Sequence, residues 1–179
     1  MDAESEEGFR EFTRTRFQPL RMLAYVTCGD WQAAEDAVSG ALSRLYLKWD
    51  KVTAPEAYAR KAVVRAAIGE KYRPWRREHL VGDAFPEISA PDTSGEVDER
   101  LRMRAALRRV PPRQRATLVL RYLEGLSVQE TAEVLECSAG TVKSQTSRGL
   151  DTLRASLVAD ITDSDSKEAD RVVSHSGRA

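Results

Sequence analysis

The sequence predicts an all-α protein: two small helical domains joined by a flexible linker, the C-terminal one containing a helix-turn-helix. Three observations lead there. Ala, Leu, Arg and Glu recur with helical spacing along most of the chain, and runs with the two-residue period of a strand are scarce. A stretch without periodicity, rich in Pro, Gly, Asp and Ser, separates two periodic halves at about residues 78–93. Two helix-start signals then follow closely on each other, Ser127 with Glu130 and afterwards Ser138. At 179 residues the chain can hold one ordinary domain or two small ones, and the shift in composition selects the second.

Residues 1–8 are polar and acidic and are expected to be disordered. From Phe9 the apolar positions Phe9, Phe12, Leu20, Leu23 and Ala24 predict a helix interrupted near Pro19, because a proline inside a helix removes one hydrogen bond and crowds the preceding turn. Gly29-Asp30 ends it. Asp30 then caps a helix to about residue 47, with Ala34, Ala37, Val38, Ala41, Leu42 and Leu45 as its inward stripe. Residues 49–54 read as a loop, and Pro55 suits the first position of the helix that follows, which turns Tyr58, Ala62, Ala66 and Ile68 inward.

The surface of that helix differs from the rest of the chain. Between Arg60 and Arg77 seven basic residues stand against the single acid Glu70, a local charge of +6, with Tyr58, Tyr72 and Trp75 interleaved. A charge run is commonly just a solvated face. Rings alternating with cations can in addition stack unpaired bases and hold phosphates, a combination suited to single-stranded DNA.

Residues 78–96 form an acidic linker. Asp98 is placed to cap a helix with Leu101, Ala105 and Leu107 inward, which stops before Pro111-Pro112. Pro112 opens another helix over 113–123, closed by Gly125 where a left-handed residue is wanted. The second domain thus spans about 97–157, and the polar residues 158–179 are expected to be a disordered tail.

Within that domain, Ser127 and Glu130 have the spacing of a reciprocal capping box, and Ser138 is a second N-cap. Only Glu136 and Cys137 remain as the turn, so the two helices must cross steeply. Val128, Ala132 and Leu135 face inward from the first helix, and Val142, Leu150 and Leu153 from the second. Thr141, Lys143, Ser144, Gln145, Ser147 and Arg148 are left largely outward, and hydroxyl, amide and cationic groups at the start of a second helix can reach base edges and phosphates in a major groove. Many capped helix pairs bind nothing. The two caps, the small residues where the helices meet and the polar outer face favour DNA binding here.

The 28 basic and 28 acidic residues cancel, so the charge distribution matters more than the sum. Acids crowd the termini and the linker. Cys28 and Cys137 fit no metal-ligand spacing, which points to a reduced, intracellular protein. No run approaches a membrane span, and the acidic start lacks the basic and apolar parts of a signal peptide, so a cytoplasmic location is expected. His79 and His175 have no partner for a triad or metal site, and no glycine-rich phosphate loop follows a strand. Neither an enzyme nor a cofactor is expected.

These pieces together resemble an extracytoplasmic-function sigma factor of bacterial RNA polymerase, of the sigma-70 family, with only regions 2 and 4 present. The motifs that carry the resemblance are Gly29-Asp30, Ala34-Glu35-Asp36, Leu42 with Leu45-Tyr46, Trp49-Asp50, Pro55-Glu56-Ala57-Tyr58, Pro112 with Gln114-Arg115, and Gly140-Thr141-Val142-Lys143-Ser144. The resemblance covers about residues 9–154. It implies that residues 9–77 dock on the polymerase clamp and read the −10 element as one strand is unpaired, and that residues 97–157 read the −35 element as duplex. Polymerase would be held at Glu35, Asp36, Leu42, Arg44 and Leu45, on the β′ clamp, with the β flap as a second docking point. The −10 strand would meet Lys51, Val52, Thr53 and Ala54 in the loop, then Tyr58, Lys61, Arg65 and Tyr72. The −35 duplex would meet Thr141, Lys143, Ser144, Ser147 and Arg148, with Arg121 and Arg154 on phosphates. An anti-sigma protein is a further partner consistent with the family.

The chain departs from the family pattern at three places. Ser39-Gly40 stands where Gln-Glu is usual, Arg65 and Gly69 replace an Asn and an acid in the −10 helix, and Glu136 replaces a glycine in the hairpin turn. A glutamate forced to positive φ there would be strained by about 1 kcal/mol or more. The competing reading is an autonomous helix-turn-helix repressor or activator, which would leave the basic aromatic helix without a purpose.

Overall fold

The computed structural model describes residues 2–70 and 94–176, with side chains described over 2–69 and 99–159. Tyr72 and Trp75 lie outside the described residues, as does the 78–93 part of the linker. Among the described residues the regular structure is entirely helical.

The first domain packs α1 (Ala3–Cys28), α2 (Trp31–Tyr46) and α3 (Pro55–Glu70), with a single 3₁₀ turn at Trp49–Lys51. Contrary to the expectation of a disordered start, α1 begins at Ala3. Asp2 caps it by accepting from the Ser5 amide at 2.8 Å, the Ser5 hydroxyl donates to Asp50 at 2.6 Å, and Gly8 sits beside the Trp49 indole. Nor does Pro19 interrupt the helix. The proline is exposed, so the carbonyl it leaves without a partner is open to water, and Leu20, Leu23 and Ala24 bury the opposite face. Gly29 ends α1 at φ +81, the left-handed conformation that a residue without Cβ adopts freely. Asp30 caps α2 through the Ala33 amide at 2.6 Å.

Small residues let these three helices approach closely. Ala24, Ala34, Val38, Ala41, Leu45, Ala59, Val63 and Ala67 are fully buried among them. Rings close both ends of the core: Phe9 meets Tyr46 and Trp49 edge-on at 5.0 and 5.3 Å, and Tyr25 stacks on Trp31 at 3.9 Å. The inward face of α3 is rotated from the expected one. Ala59, Val63, Val64 and Ala67 lie deepest, and Tyr58, Ala62, Ala66 and Ile68 are half-buried, because α3 is covered from two sides.

The second domain holds α4 (Ser94–Arg109), α5 (Pro112–Leu118), α6 (Val128–Leu135) and α7 (Ala139–Ser176). α4 begins at Ser94 rather than at an Asp98 cap, and it buries Ala106, with Val110 buried just beyond its end, while Leu101 and Ala105 are exposed and Leu107 is half-buried. α5 widens into a π turn at Val119–Leu123, where the Glu124 amide reaches back five residues to Val119. Gly125 follows at φ +67. α7 reaches Ser176, so the expected disordered tail is helical to that point; no Gly or Pro falls between Leu150 and Ser176 to stop it. Gly149 lets α7 meet α5: a Cβ there would stand 3.2 Å from the Leu118 side chain.

The two domains share a seam. Leu23 of α1 and Val64 of α3 are buried against Ala116, Val119 and Leu120 of the α5 segment. At its centre lies Arg115, with no exposure at all. Its Nε donates to the Thr27 carbonyl at 2.7 Å and its Nη2 to the Cys28 carbonyl at 3.1 Å, both at the C-terminus of α1. Its Nη1 reaches the Leu107 and Arg108 carbonyls at the end of α4, at 3.3 and 3.4 Å. A cation is favourable where the carbonyl ends of two helices converge. Burial lowers the Arg115 pKa from its ordinary value, yet a guanidinium in a protein stays charged.

Candidate nucleic-acid interface

The hairpin α6–α7 forms as its caps require. The Ser127 hydroxyl accepts from the Glu130 amide at 3.1 Å, and the Glu130 carboxylate accepts from the Ser127 amide at 2.7 Å. Hydrogen bonding of the Ser127 side chain and then its backbone amide to the carboxylate lowers the Glu130 pKa from its ordinary value. Glu136 ends α6 at φ +50, ψ +53, the left-handed turn in which glycine would be unstrained. Ser138 starts α7 by accepting from the Thr141 amide at 3.0 Å, and the two hydroxyls meet at 2.9 Å.

From this start, α7 turns Val142 fully inward and presents Lys143, Ser144, Ser147 and Arg148 to solvent. One face thus carries two cations and two hydroxyls, with Thr141 half-buried at its edge. Of the two expected phosphate partners, Arg121 donates to the Leu126 carbonyl and braces the loop before α6, and Arg154 is exposed beside Asp151 at 3.5 Å.

The residues expected on an unpaired strand also form one strip. The Trp49–Lys51 turn exposes Lys51 and is followed by half-buried Val52 and exposed Thr53 and Ala54. Phe9 and Phe12 hold the Trp49 ring and so fix the turn. Tyr58, Lys61 and Arg65 continue the strip up α3 at helical spacing, and the Lys48 ammonium lies 6.0 Å from the Tyr58 ring centre. The upper end is engaged by the second domain. Arg65 donates from Nε to the Val134 carbonyl at 2.7 Å and from Nη2 to the Glu133 carbonyl at 3.2 Å, and pairs with Glu136 at 2.7 Å. Below it, Arg60 pairs with Glu124 at 2.6 Å.

The expected polymerase surface divides. Glu35, Asp36 and Arg44 lie on the outer side of α2; Glu35 is half exposed and pairs with Arg21 at 2.8 Å, and Arg21 in turn lies 4.9 Å over the Trp31 ring. The Arg44 guanidinium crosses Gly40, 3.5 Å from where a Cβ would be. Leu42 and Leu45 are only 7% and 0% exposed, core residues that set the position of α2, and the surface part of the set is Glu35, Asp36 and Arg44.

Arg115, Arg60 with Glu124, and the Arg65–Glu136 pair as a contact between domains were missed from the sequence. Only Arg115 left a local signal. It shares a helix face with Leu118 and Val119, within an otherwise apolar run, where a cation has to find buried acceptors.

Residues 100–153 match the family described as "Sigma-70, region 4". The RNA polymerase sigma-E factor of Streptomyces coelicolor is 34% identical over 154 residues, covering 84% of this chain and 86% of the relative. The ECF RNA polymerase sigma factor SigM of Mycobacterium tuberculosis is 26% identical over 146 residues, covering 79% of this chain and 72% of the relative. Among solved structures, the sigma factor RpoE of Bartonella quintana, crystallised with the anti-sigma factor NepR, shares the fold with a TM-score of 0.66 at 20% identity, over 86% of this chain and 99% of that one. No helix among the described residues is long and apolar enough to cross a membrane. The hairpin, the basic strip on α3 and this set of relatives agree: the chain belongs to the extracytoplasmic-function sigma factors of RNA polymerase.

Proposed function

We propose that this chain is a promoter-specificity subunit that binds core RNA polymerase in the cytoplasm, reads −35 DNA as duplex through α7 and reads −10 DNA as a single strand through the Lys51–Arg65 strip. The observation that carries the reading is the row of exposed Lys143, Ser144, Ser147 and Arg148 at the start of the second hairpin helix, on a chain of this family. Two or three base contacts at about 1–3 kcal/mol each give modest discrimination. Tethering both readers to one polymerase makes the second contact intramolecular and multiplies the selectivity. The core supplies the catalysis, and this chain supplies recognition and strand opening. Glu35, Asp36 and Arg44 are the polymerase contacts on this reading, with the β′ clamp and β flap as their counterparts, and an anti-sigma protein fits as a further partner because the Bartonella quintana neighbour was crystallised with one.

Run-off transcription with purified core on a promoter library tests this. Arg148→Ala is expected to lower transcription about tenfold from promoters with a matching −35 sequence and little from the others, whereas Glu35→Ala with Asp36→Ala lowers it on all of them. The same promoter-dependent loss from both sets of variants would refute the assignment.

A further inference from the structure

We infer that the last part of α7 is an acidic arm seated along the arginine face of α4, where it takes the place of a nucleic-acid backbone and holds down the free chain's affinity for DNA of any sequence. The inference goes beyond the promoter reading proposed above and does not rest on it.

Between residues 100 and 109 α4 carries five arginines and no acid. A basic stripe of this density along one helix is the electrostatic footprint of a phosphate backbone. Arg100 and Arg102 are exposed, yet they, Arg104 and Arg109 are all engaged rather than free. The helix that meets this end of the domain is α7. Arg109 donates from Nη1 to the Ser156 carbonyl at 3.3 Å, and Ala106, Val110 and Ser156 are buried. Earlier in α7, Gly149 lies against Leu118 and Gln114 of α5. Stepping back along the chain from α5 to the end of α4 therefore means stepping forward along α7, so α4 and the end of α7 run antiparallel.

α7 does not stop at that contact. Its backbone stays helical to Ser176, about 30 Å beyond Ser156, and α4 is about 24 Å long. The segment is long enough to cover the whole face. Its sequence matches in sign as well: residues 160–170 hold Asp160, Asp163, Asp165, Glu168 and Asp170 against Lys167 alone. Seven residues are about two helical turns, so positions seven apart share a face. One such step from Arg109 and Ser156, in opposite directions, brings Arg102 level with Asp163, and four residues more bring Asp98 level with Lys167. Opposite charges fall together at both levels. Exposed pairs of this kind are individually weak and screened by salt. A duplex has to displace the arm to reach the arginines, and it gains less from released counterions while the arm neutralises them.

The test compares the full chain with a chain ending at Ala159. Fluorescence anisotropy with a labelled duplex of random sequence should show binding about tenfold tighter for the shortened chain at low salt, with the slope of log affinity against log salt steeper by about 2. Arg102→Gln with Arg109→Gln in the shortened chain should return both quantities to the level of the full chain. Asp160→Asn, Asp163→Asn and Asp170→Asn in the full chain keep the length of the arm and should tighten binding about threefold at unchanged far-UV circular dichroism, which decides the matter even if shortening loosens the domain. Charge exchange checks the register: Arg102→Glu and Asp163→Arg should each lower the melting midpoint, and the double change should recover most of the loss. Unchanged affinity in both the shortened and the neutralised protein overturns the arm. A gain that survives Arg102→Gln with Arg109→Gln overturns α4 as the covered face, and additive losses in the charge exchange overturn the register and the seat with it.

Discussion

At the start of α7, Lys143, Ser144, Ser147 and Arg148 face solvent, whereas on α3 the guanidinium of Arg65 is occupied by the backbone and side chain of another helix. Both surfaces are basic and both come from a helix with a buried opposite face. What separates them is what lies next to each in the chain. The row on α7 is set by local chemistry, because Ser138 caps the helix and Val142 buries its inner side within four residues. The strip on α3 depends on a domain more than sixty residues away, since Arg65 meets Glu136. A basic surface that is finished locally depends on a few neighbouring residues, and one that is shared between domains depends on how they pack.

The seam beneath that comparison gives the largest expected effect. Arg115→Met keeps most of the volume and removes the donors, leaving the α1 and α4 carbonyl ends unpaired inside the protein. Breaking a buried charged network of this kind costs about 3 kcal/mol. Urea unfolding followed by circular dichroism should show the midpoint falling accordingly. A loss under about 1 kcal/mol would mean that water reaches those carbonyls and that the seam is not closed in solution.

Glu136 sharpens the contrast with a smaller number. In the left-handed turn it bears strain of about 1 kcal/mol, which Glu136→Gly would relieve. The same change deletes the ion pair with Arg65, worth about 0.2–1 kcal/mol at a carboxylate that is 70% exposed. The two partly offset. Unfolding stability should therefore rise by no more than about 0.8 kcal/mol. A gain of a full ~1 kcal/mol or more would show that the ion pair contributes nothing to the folded state.

The same division between local and distant causes explains how far the sequence could be read. The capping box of Ser127 and Glu130, the Asp30 cap and the left-handed Gly125 each depend on a few neighbouring residues, and all three are legible as spacing, whereas the awkward position of Glu136 was legible only through the family resemblance. The exposed row on α7 followed from the same spacing. By contrast, the Lys51–Arg65 strip was legible as composition, but its partial cover was not, because nothing near Arg65 in the chain points to Glu136 or to the carbonyls of α6. Leu42 and Leu45 close the core of the first domain, as their place on the inward stripe of α2 predicts. The continuous α1 and the long α7 were missed for a related reason: Pro19 and the polar tail weaken a helix locally, but Pro19 lies on the exposed side of α1 and no Gly or Pro falls between Leu150 and Ser176.

The smallest effect belongs to the locally finished hairpin and tests whether it is as independent as its bonds suggest. Glu130 is held below the ordinary carboxylate range by its hydrogen bonds from the Ser127 side chain and backbone and opposed by slight desolvation. Because the folded pKa is depressed, the contribution is fully present above the unfolded value and disappears as pH falls through the folded one. Amide-exchange protection at the start of α6, relative to the intrinsic rate at each pH, should therefore fall only once the pH drops below the usual glutamate range, and Glu130→Gln should remove most of that acid dependence by keeping a neutral acceptor in place. Exchange at the start of α7 should not follow the same curve, since Ser138 caps it without a titrating group. If both helix starts loosened together in acid, the hairpin would be one unit coupled through its turn, and the row on α7 would depend on α6 as the strip on α3 depends on the second domain.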